Sequence, residues 1–130
     1  MKHLFTLVVC CVFGASATAQ STEPKLTGVF SDLRYSKHSG DVIGMEVFVV
    51  FAGEKGLFAT IQCSEGWPSK PVLVPAIAKG SSIELAAHND SASHCPKVPF
   101  RGVVSQSGLR GQFEGMADKV FLKRKQSFWQ

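Results

Sequence analysis

Short runs that alternate apolar and polar residues dominate the chain after residue 25, and no long stretch follows the 3.6-residue period of a helix. The clearest run covers residues 42–52. Its odd-numbered positions are all apolar: Ile43, Met45, Val47, Val49 and Phe51. A period of two is typical of a strand with one buried face. Together with the Gly-, Ser- and Asp-containing turns between the runs, this pattern predicts an all-β fold.

Eight such runs begin 10–17 residues apart, and most are joined by short turns. They cover residues 26–35, 42–52, 57–63, 71–78, 81–87, 98–104, 109–114 and 119–124. The order predicts an eight-stranded antiparallel up-and-down barrel closed by the first and last strands, with a β-sandwich as the alternative. Pro75 favours the sandwich, because proline cannot donate to a central ladder and a closed barrel has no edge strand.

The first nineteen residues have the layout of a secretory signal peptide. Lys2 precedes a short apolar run over residues 4–13, and the small residues at 17–19 form a cleavage site. We therefore expect a signal peptide at 1–19, a flexible leader at 20–25 and a single β-barrel domain at 26–130. The location predicted is periplasmic or secreted. The apolar run is too short to span a bilayer, so no membrane-spanning segment is expected.

Four cysteines are present, and Cys10 and Cys11 fall within the predicted signal peptide. Cys63 and Cys95 remain in the mature chain. An isolated pair in an oxidising compartment forms a disulfide by default, and the Cys-x-x-Cys spacing of redox-active pairs is absent. We predict a structural Cys63–Cys95 bridge.

The net charge of the full chain is +4, from 14 basic and 10 acidic residues. Removing Lys2 with the signal peptide leaves +3 (13 − 10). This mild balance and the lack of a recognised motif argue against nucleic acid as a partner. Basic residues gather near the C-terminus, where Lys123 and Lys125 are candidate binding residues for an anionic partner. The alternative is a solvated strand end.

A glycine and an aromatic ring in the first strand are matched by an arginine late in the last one. Gly28-Val29-Phe30 and Arg124 resemble calycin barrels such as lipocalins, which often begin with Gly-x-aromatic and place a late arginine over that ring. Phe30 stands where tryptophan is usual. Arg124 shares strand parity with Val120 and Leu122, so it should point inward, where a contact over Phe30 would add about 0.5–2 kcal/mol. The alternative is that Arg124 reaches solvent past the strand end. The resemblance implies a structural role at barrel closure.

The order of five short segments also resembles a set of small exported bacterial proteins. The segments are Leu26-Thr27-Gly28, residues 39–44 (SGDVIG), residues 65–68 (EGWP), residues 108–111 (GLRG) and residues 122–130 (LKRKQSFWQ). This resemblance implies a bacterial envelope setting and carries no activity with it.

Chemistry-bearing side chains concentrate in one loop, which contains His88, Asp90, Ser91 and His94. A metal site needs three or four converging ligands, and the predicted disulfide removes Cys95 as one. Gly-x-Ser-x-Gly, Walker and dinucleotide fingerprints are absent. We expect no metal, no cofactor and no enzymatic activity, with a hydrolase that uses the 88–94 loop as an alternative.

Trp67 lies in a loop between Gly66 and Pro68. A loop tryptophan is either a lid folded over a barrel mouth, the interpretation favoured here, or an exposed binding anchor. The lumen should have little free room, because several bulky side chains are predicted to point inward. These are Met45, Phe51, Phe100 and Phe113. We therefore predict a monomeric binding module that recognises a protein or envelope component through its loops or outer face, with Trp67, His88 and His94 as further candidate binding residues. A carrier of a small apolar ligand is the alternative.

Overall fold

The computed structural model describes residues 23–130. The predicted signal peptide, with Cys10 and Cys11, lies outside the described residues, as does the start of the leader. Within the described part, no helix is long and apolar enough to cross a membrane.

Nine strands occur in residues 23–130. They are β1 Gly28–Ser31, β2 Arg34–Tyr35, β3 Val42–Phe51, β4 Leu57–Gly66, β5 Val72–Lys79, β6 Ser82–Leu85, β7 Phe100–Val104, β8 Gly108–Phe113 and β9 Val120–Arg124. A 3-10 turn, Gly53–Lys55, joins β3 to β4. The predicted all-β class is confirmed.

Eight of these strands form a closed antiparallel barrel, and β2 is an additional outer strand paired with the start of β3. Each strand from β3 to β9 pairs with the next one along the chain. β1 closes the barrel because it pairs with β3 on one side and β9 on the other. The up-and-down barrel is therefore confirmed, and the sandwich alternative is wrong.

The barrel has two distinct ends, which follow from the strand registers. At the closure end lie the short connections 52–56, 80–81 and 105–107, together with the start of β1 and the end of β9. At the loop end lie the longer connections 32–41, 67–71, 86–99 and 114–119. The candidate residues of the 64–70 and 88–97 loops therefore share one end of the barrel.

The lumen is filled by inward-facing side chains, which form one contiguous core. The alternation along β3 places Met45, Val47 and Val49 inside, as predicted. Phe100 and Phe113 also point inward and meet edge to face, with 5.2 Å between ring centroids. Phe51 does not: it ends β3 beyond the core and is 69% exposed, so its assignment as a core residue is wrong.

Pro75 lies in an interior strand rather than at an edge. It is the register partner of Phe58 in β4, and its carbonyl accepts a hydrogen bond from the Ala86 amide at 3.0 Å. In an antiparallel ladder the N and O of one residue face the same neighbour. The missing N–H of Pro75 therefore faces Ala86, just past the end of β6, where the ladder stops. The inference that Pro75 favours the sandwich is wrong for this reason.

The first predicted strand, residues 26–35, is divided in two. Between the two parts, the Asp32 side chain takes the place of a backbone acceptor for β3: its Oδ1 accepts a hydrogen bond from the Met45 amide at 2.6 Å. Leu33 is buried, and β2 continues outside the barrel. The carboxylate thus separates the barrel strand β1 from the outer strand β2.

Candidate binding surface

The outer face of β5–β8 carries two rows of side chains that cross the strands. The registers align Lys79, Ser82, Val103 and Arg110 in one row. They align Ile77, Glu84, Arg101 and Gln112 in the next, and Lys119 follows just before β9. A groove of about 590 Å³ is lined by both rows. We refer to it as the cross-strand groove.

A pair of glycines forms part of the floor of this groove. Gly102 and Gly111 are register partners in β7 and β8, next to Ile83 of β6. A Cβ at Gly111 would lie 2.5 Å from Cζ of Phe100 and 2.4 Å from the Arg101 carbonyl oxygen. Because neither glycine has a side chain, the two strands approach the Phe100 ring inside the barrel. The backbone of both glycines lines the depression between the two rows on the outside.

The charges lining the groove are unbalanced: four cations, Lys79, Arg101, Arg110 and Lys119, meet one carboxylate, Glu84. Arg101 is held in place, because its Nε donates to Glu84 at 2.9 Å and its Nη2 lies 3.3 Å from Glu114. The Glu84 carboxylate, assisted by Glu114, raises the pKa of Arg101 above its usual range. The groove therefore has a fixed cation at its centre and further cations towards both ends.

Arg110 also has a defined position. Its guanidinium carbon lies 4.9 Å from the centroid of the Phe121 ring on β9. Phe121 is the register partner of Arg110, so the contact is made directly across the ladder. The stacking orders an arginine that is otherwise exposed on the rim of the groove.

Exposed apolar side chains lie in the groove and beside it. Ile77 is 73% exposed and Val103 is 50% exposed. Leu73, also on β5 but outside the groove, is 67% exposed, and Phe48 on β3 is 45% exposed. Exposed apolar side chains rimmed by polar groups are typical of an interaction surface rather than of a solvated face. Ile77 and Val103 therefore add apolar contact area to the cations of the cross-strand groove.

The C-terminal tail is docked on the neighbouring part of the wall. Glu46, only 8% exposed, accepts hydrogen bonds from Ser127 Oγ at 2.6 Å and from the Phe128 amide at 2.8 Å. Trp129 Nε1 donates to Gln62 Oε1 at 2.7 Å. A smaller groove of about 190 Å³ lies between Trp129 and strands β3 and β4. A buried carboxylate therefore anchors residues 125–130 to the barrel wall.

Trp67 projects from the loop end and is 80% exposed. A ring packed over the barrel mouth would bury most of its surface, so the lid interpretation is wrong. The side chain instead has the exposure that the alternative interpretation, a binding anchor, requires.

The predicted disulfide is confirmed: Cys63 and Cys95 are bonded, with 5.1 Å between their Cα atoms. It ties the 86–99 loop to the end of β4. Lys70 reinforces this tie, because Nζ lies 2.8 Å from Asp90 Oδ2 and its amide donates to the Ala92 carbonyl at 3.3 Å. Asp90 Oδ1 accepts from the Ala92 amide at 2.9 Å.

The histidines of this loop differ from one another. His94 is exposed, whereas both ring nitrogens of His88 are shielded from solvent and have no hydrogen-bond partner. Both oxygens of Asp90 are engaged by Lys70 and Ala92, so this carboxylate orients the loop rather than a histidine ring. Over residues 23–130, no group of three or more His, Cys, Asp or Glu residues is arranged to hold a metal ion.

The candidate lysines lie at and just after the end of β9, beside the β1–β9 seam. Lys123 is exposed at the end of β9, opposite Ser31 of β1. Lys125 begins the docked tail: its amide donates to the Val29 carbonyl at 3.2 Å, and its Nζ lies 3.5 Å from the Leu33 carbonyl oxygen. Trp67 and the two histidine positions thus share the loop end, and the two lysines do not join them.

Sequence reasoning missed the cross-strand groove. Its residues lie on four strands and are adjacent only through the registers, and Gly102 and Gly111 gave no recognisable local pattern. The available sequence indication was the set of apolar residues on the outward side of β5 and β7, Leu73, Ile77 and Val103.

Comparisons with protein-family models, with curated proteins and with solved structures found no match to the chain. The geometry of the chain itself therefore carries the functional argument.

Proposed function

We propose that this protein is an exported, non-catalytic binding module that recognises a protein or another envelope component through its outer face. The binding surface is the cross-strand groove, with the exposed Ile77 and Val103 inside it. One observation carries this proposal: Ile77 and Val103 are exposed inside a groove that also holds four cations. Such a combination of apolar contact area and a few fixed charges is typical of recognition surfaces.

The packing of the lumen favours the outer face over a carrier function. Phe30, Phe100, Leu85, Leu109 and Leu122 are fully or almost fully buried within one core cluster. A small apolar ligand in the lumen would have to displace these side chains. The outer groove, by contrast, is accessible without any rearrangement.

The setting proposed is an oxidising envelope compartment. The Cys63–Cys95 disulfide is compatible with that location, because such bridges persist outside the reducing cytosol. The amino-terminal pattern of a signal peptide supports the same setting.

The test uses two matched substitutions on β5. Ile77→Asp changes a side chain in the groove, whereas Leu73→Asp makes the same change at a similarly exposed position outside it. Cells that export wild type or either variant are treated with a bifunctional amine cross-linker, and adducts of the tagged protein are quantified. Circular dichroism of the purified proteins verifies that both variants fold.

We expect wild type and Leu73→Asp to form the same higher-mass adduct, and Ile77→Asp to lose about nine-tenths of it. That loss corresponds to about 1.4 kcal/mol of binding free energy. If the two variants retain or lose the adduct equally, the cross-strand groove is not the binding surface.

A further inference from the structure

We infer that the cross-strand groove binds an extended acidic segment, about six residues long, of a partner protein. This inference rests on the proposed function, because it specifies the chemistry of the partner at that same surface.

The dimensions of the groove suit an extended chain. It runs from Lys79 on β5 to Lys119 beside β9, which spans four inter-strand spacings. At about 4.8 Å each, these spacings add to about 19 Å, the length of about six extended residues. A volume near 590 Å³ lies within the range of sites that enclose a small ligand or a short segment.

The charges specify acidic ends for that segment. Arg101, at the centre, is already paired with Glu84 and Glu114. Among residues 23–130, neither Lys79 nor Lys119 forms an ion pair, and both are exposed. A carboxylate near each end of the bound segment would therefore meet an ammonium group that has no carboxylate partner.

The lining of the groove favours a peptide over an acyl chain. Ile77 and Val103 offer apolar contacts, while Ser82 and Gln112 offer hydrogen-bonding groups for the peptide backbone. An acyl chain would leave those polar groups desolvated and unpaired. Because every strand lining the groove is paired on both sides, the segment cannot add as a new strand and must be recognised by side chains.

The experiment is a peptide selection with charge-reversed variants. A displayed library of random octapeptides is selected against wild type and against Lys79→Glu/Lys119→Glu. The matched control is Lys37→Glu/Lys55→Glu, which makes the same change in net charge at exposed turn lysines outside the groove. All four positions are exposed, and urea unfolding midpoints verify that the variants remain folded.

We expect wild type and the control to select peptides with two acidic residues separated by three or four positions and with apolar residues between them. The strongest of these peptides, fluorescently labelled, should bind Lys79→Glu/Lys119→Glu at least about tenfold more weakly than wild type. Selections without acidic enrichment, or equal binding to both double variants, would overturn the inference.

A parallel measurement tests anionic lipid, the main alternative ligand for the groove. The three proteins are mixed with phosphatidylglycerol vesicles and with phosphatidylcholine vesicles and then sedimented. One result would assign the groove to anionic lipid and overturn the inference. In that result, wild type and the control bind phosphatidylglycerol vesicles, Lys79→Glu/Lys119→Glu does not, and the library yields no acidic peptides. The outer-face proposal itself fails by a different result, the equal behaviour of Ile77→Asp and Leu73→Asp.

Discussion

The guanidinium carbon of Arg124 lies 4.6 Å from the centroid of the Phe30 ring, and the two residues are register partners across the β1–β9 seam that closes the barrel. Phe30 is fully buried. The same guanidinium donates from Nη1 to the Thr27 carbonyl at 3.0 Å and from Nη2 to the Lys25 carbonyl. Arg124 therefore joins the core, the segment before β1 and the last strand at the closure end.

Replacing Arg124 should destabilise the barrel more than replacing Arg110, which stacks on Phe121 with a similar geometry but at an exposed site. Arg124→Gln loses the cation–π contact and its hydrogen bonds to backbone carbonyls, so we expect a loss of about 2–3 kcal/mol in unfolding free energy. Arg110→Gln should lose less than about 1 kcal/mol. Urea unfolding measures both, and equal losses would show that the seam contact has no special role.

Removing the acceptor at Glu46 should release the C-terminal tail. Glu46→Ala removes the acceptor for Ser127 Oγ and the Phe128 amide, and hydrogen bonds to charged groups contribute about 1.5–3 kcal/mol each. We expect a loss of about 2–4 kcal/mol in unfolding free energy and faster removal of the last residues by carboxypeptidase. Ser127→Ala keeps the Phe128 amide bond to Glu46 but loses the Ser127 Oγ bond to Glu46 and the bond from the Trp129 amide to Ser127 Oγ, so its effect should be intermediate. Unchanged carboxypeptidase kinetics in Glu46→Ala would contradict the anchoring role.

The Cys63–Cys95 bridge should contribute mainly by restricting the unfolded chain. The cysteines are separated by 32 positions, for which the chain-entropy model gives about 3–4 kcal/mol. Cys63→Ser/Cys95→Ser should therefore lower the unfolding free energy by about that amount, as measured by urea denaturation without reductant. Wild type treated with dithiothreitol should match the double variant. A loss below about 1 kcal/mol would mean that the bridge adds little to the barrel.

The Lys70–Asp90 pair should make the 86–99 loop sensitive to acid. The hydrogen bond from Lys70 and that from the Ala92 amide hold the pKa of Asp90 below its ordinary value of 3.8. Because the folded-state pKa is the lower one, the stabilisation is present above pH 3.8 and is lost as the pH falls through the folded-state value. A carboxyl-detected NMR titration should find the midpoint for Asp90 below 3.8 in wild type and closer to 3.8 in Lys70→Met. A midpoint that does not move would contradict the assignment to Lys70.

The barrel could be predicted from the sequence because burial on one side of a strand imposes a local period of two. Met45, Val47 and Val49 show that period plainly, and they are buried. Phe51 continues the period past the end of the core, where alternation no longer reports burial. Pro75 wrongly favoured the sandwich. An interior strand can accept a proline where its neighbour's ladder has ended, and the end of β6 cannot be read from the sequence of β5 alone.

The candidate surface was less predictable because its residues become neighbours only through the pairing register of the strands. Arg101, Val103 and Arg110 become neighbours of Ile77 only when β5–β8 pair in one particular alignment. The docking of the tail likewise depends on a contact between Glu46 and Ser127, 81 positions apart. The disulfide was accessible from sequence because only two cysteines follow the predicted signal peptide.

The most direct measurement compares photo-cross-linking from the groove with that from the loop end. A photo-reactive amino acid replaces either Val103, which lines the cross-strand groove, or Trp67, which is exposed at the loop end. Intact cells that express either protein from the full sequence are then irradiated. Recognition through the outer face predicts a discrete adduct from position 103 and none from position 67. An adduct from position 67 alone would contradict it and would place the partner at the loops.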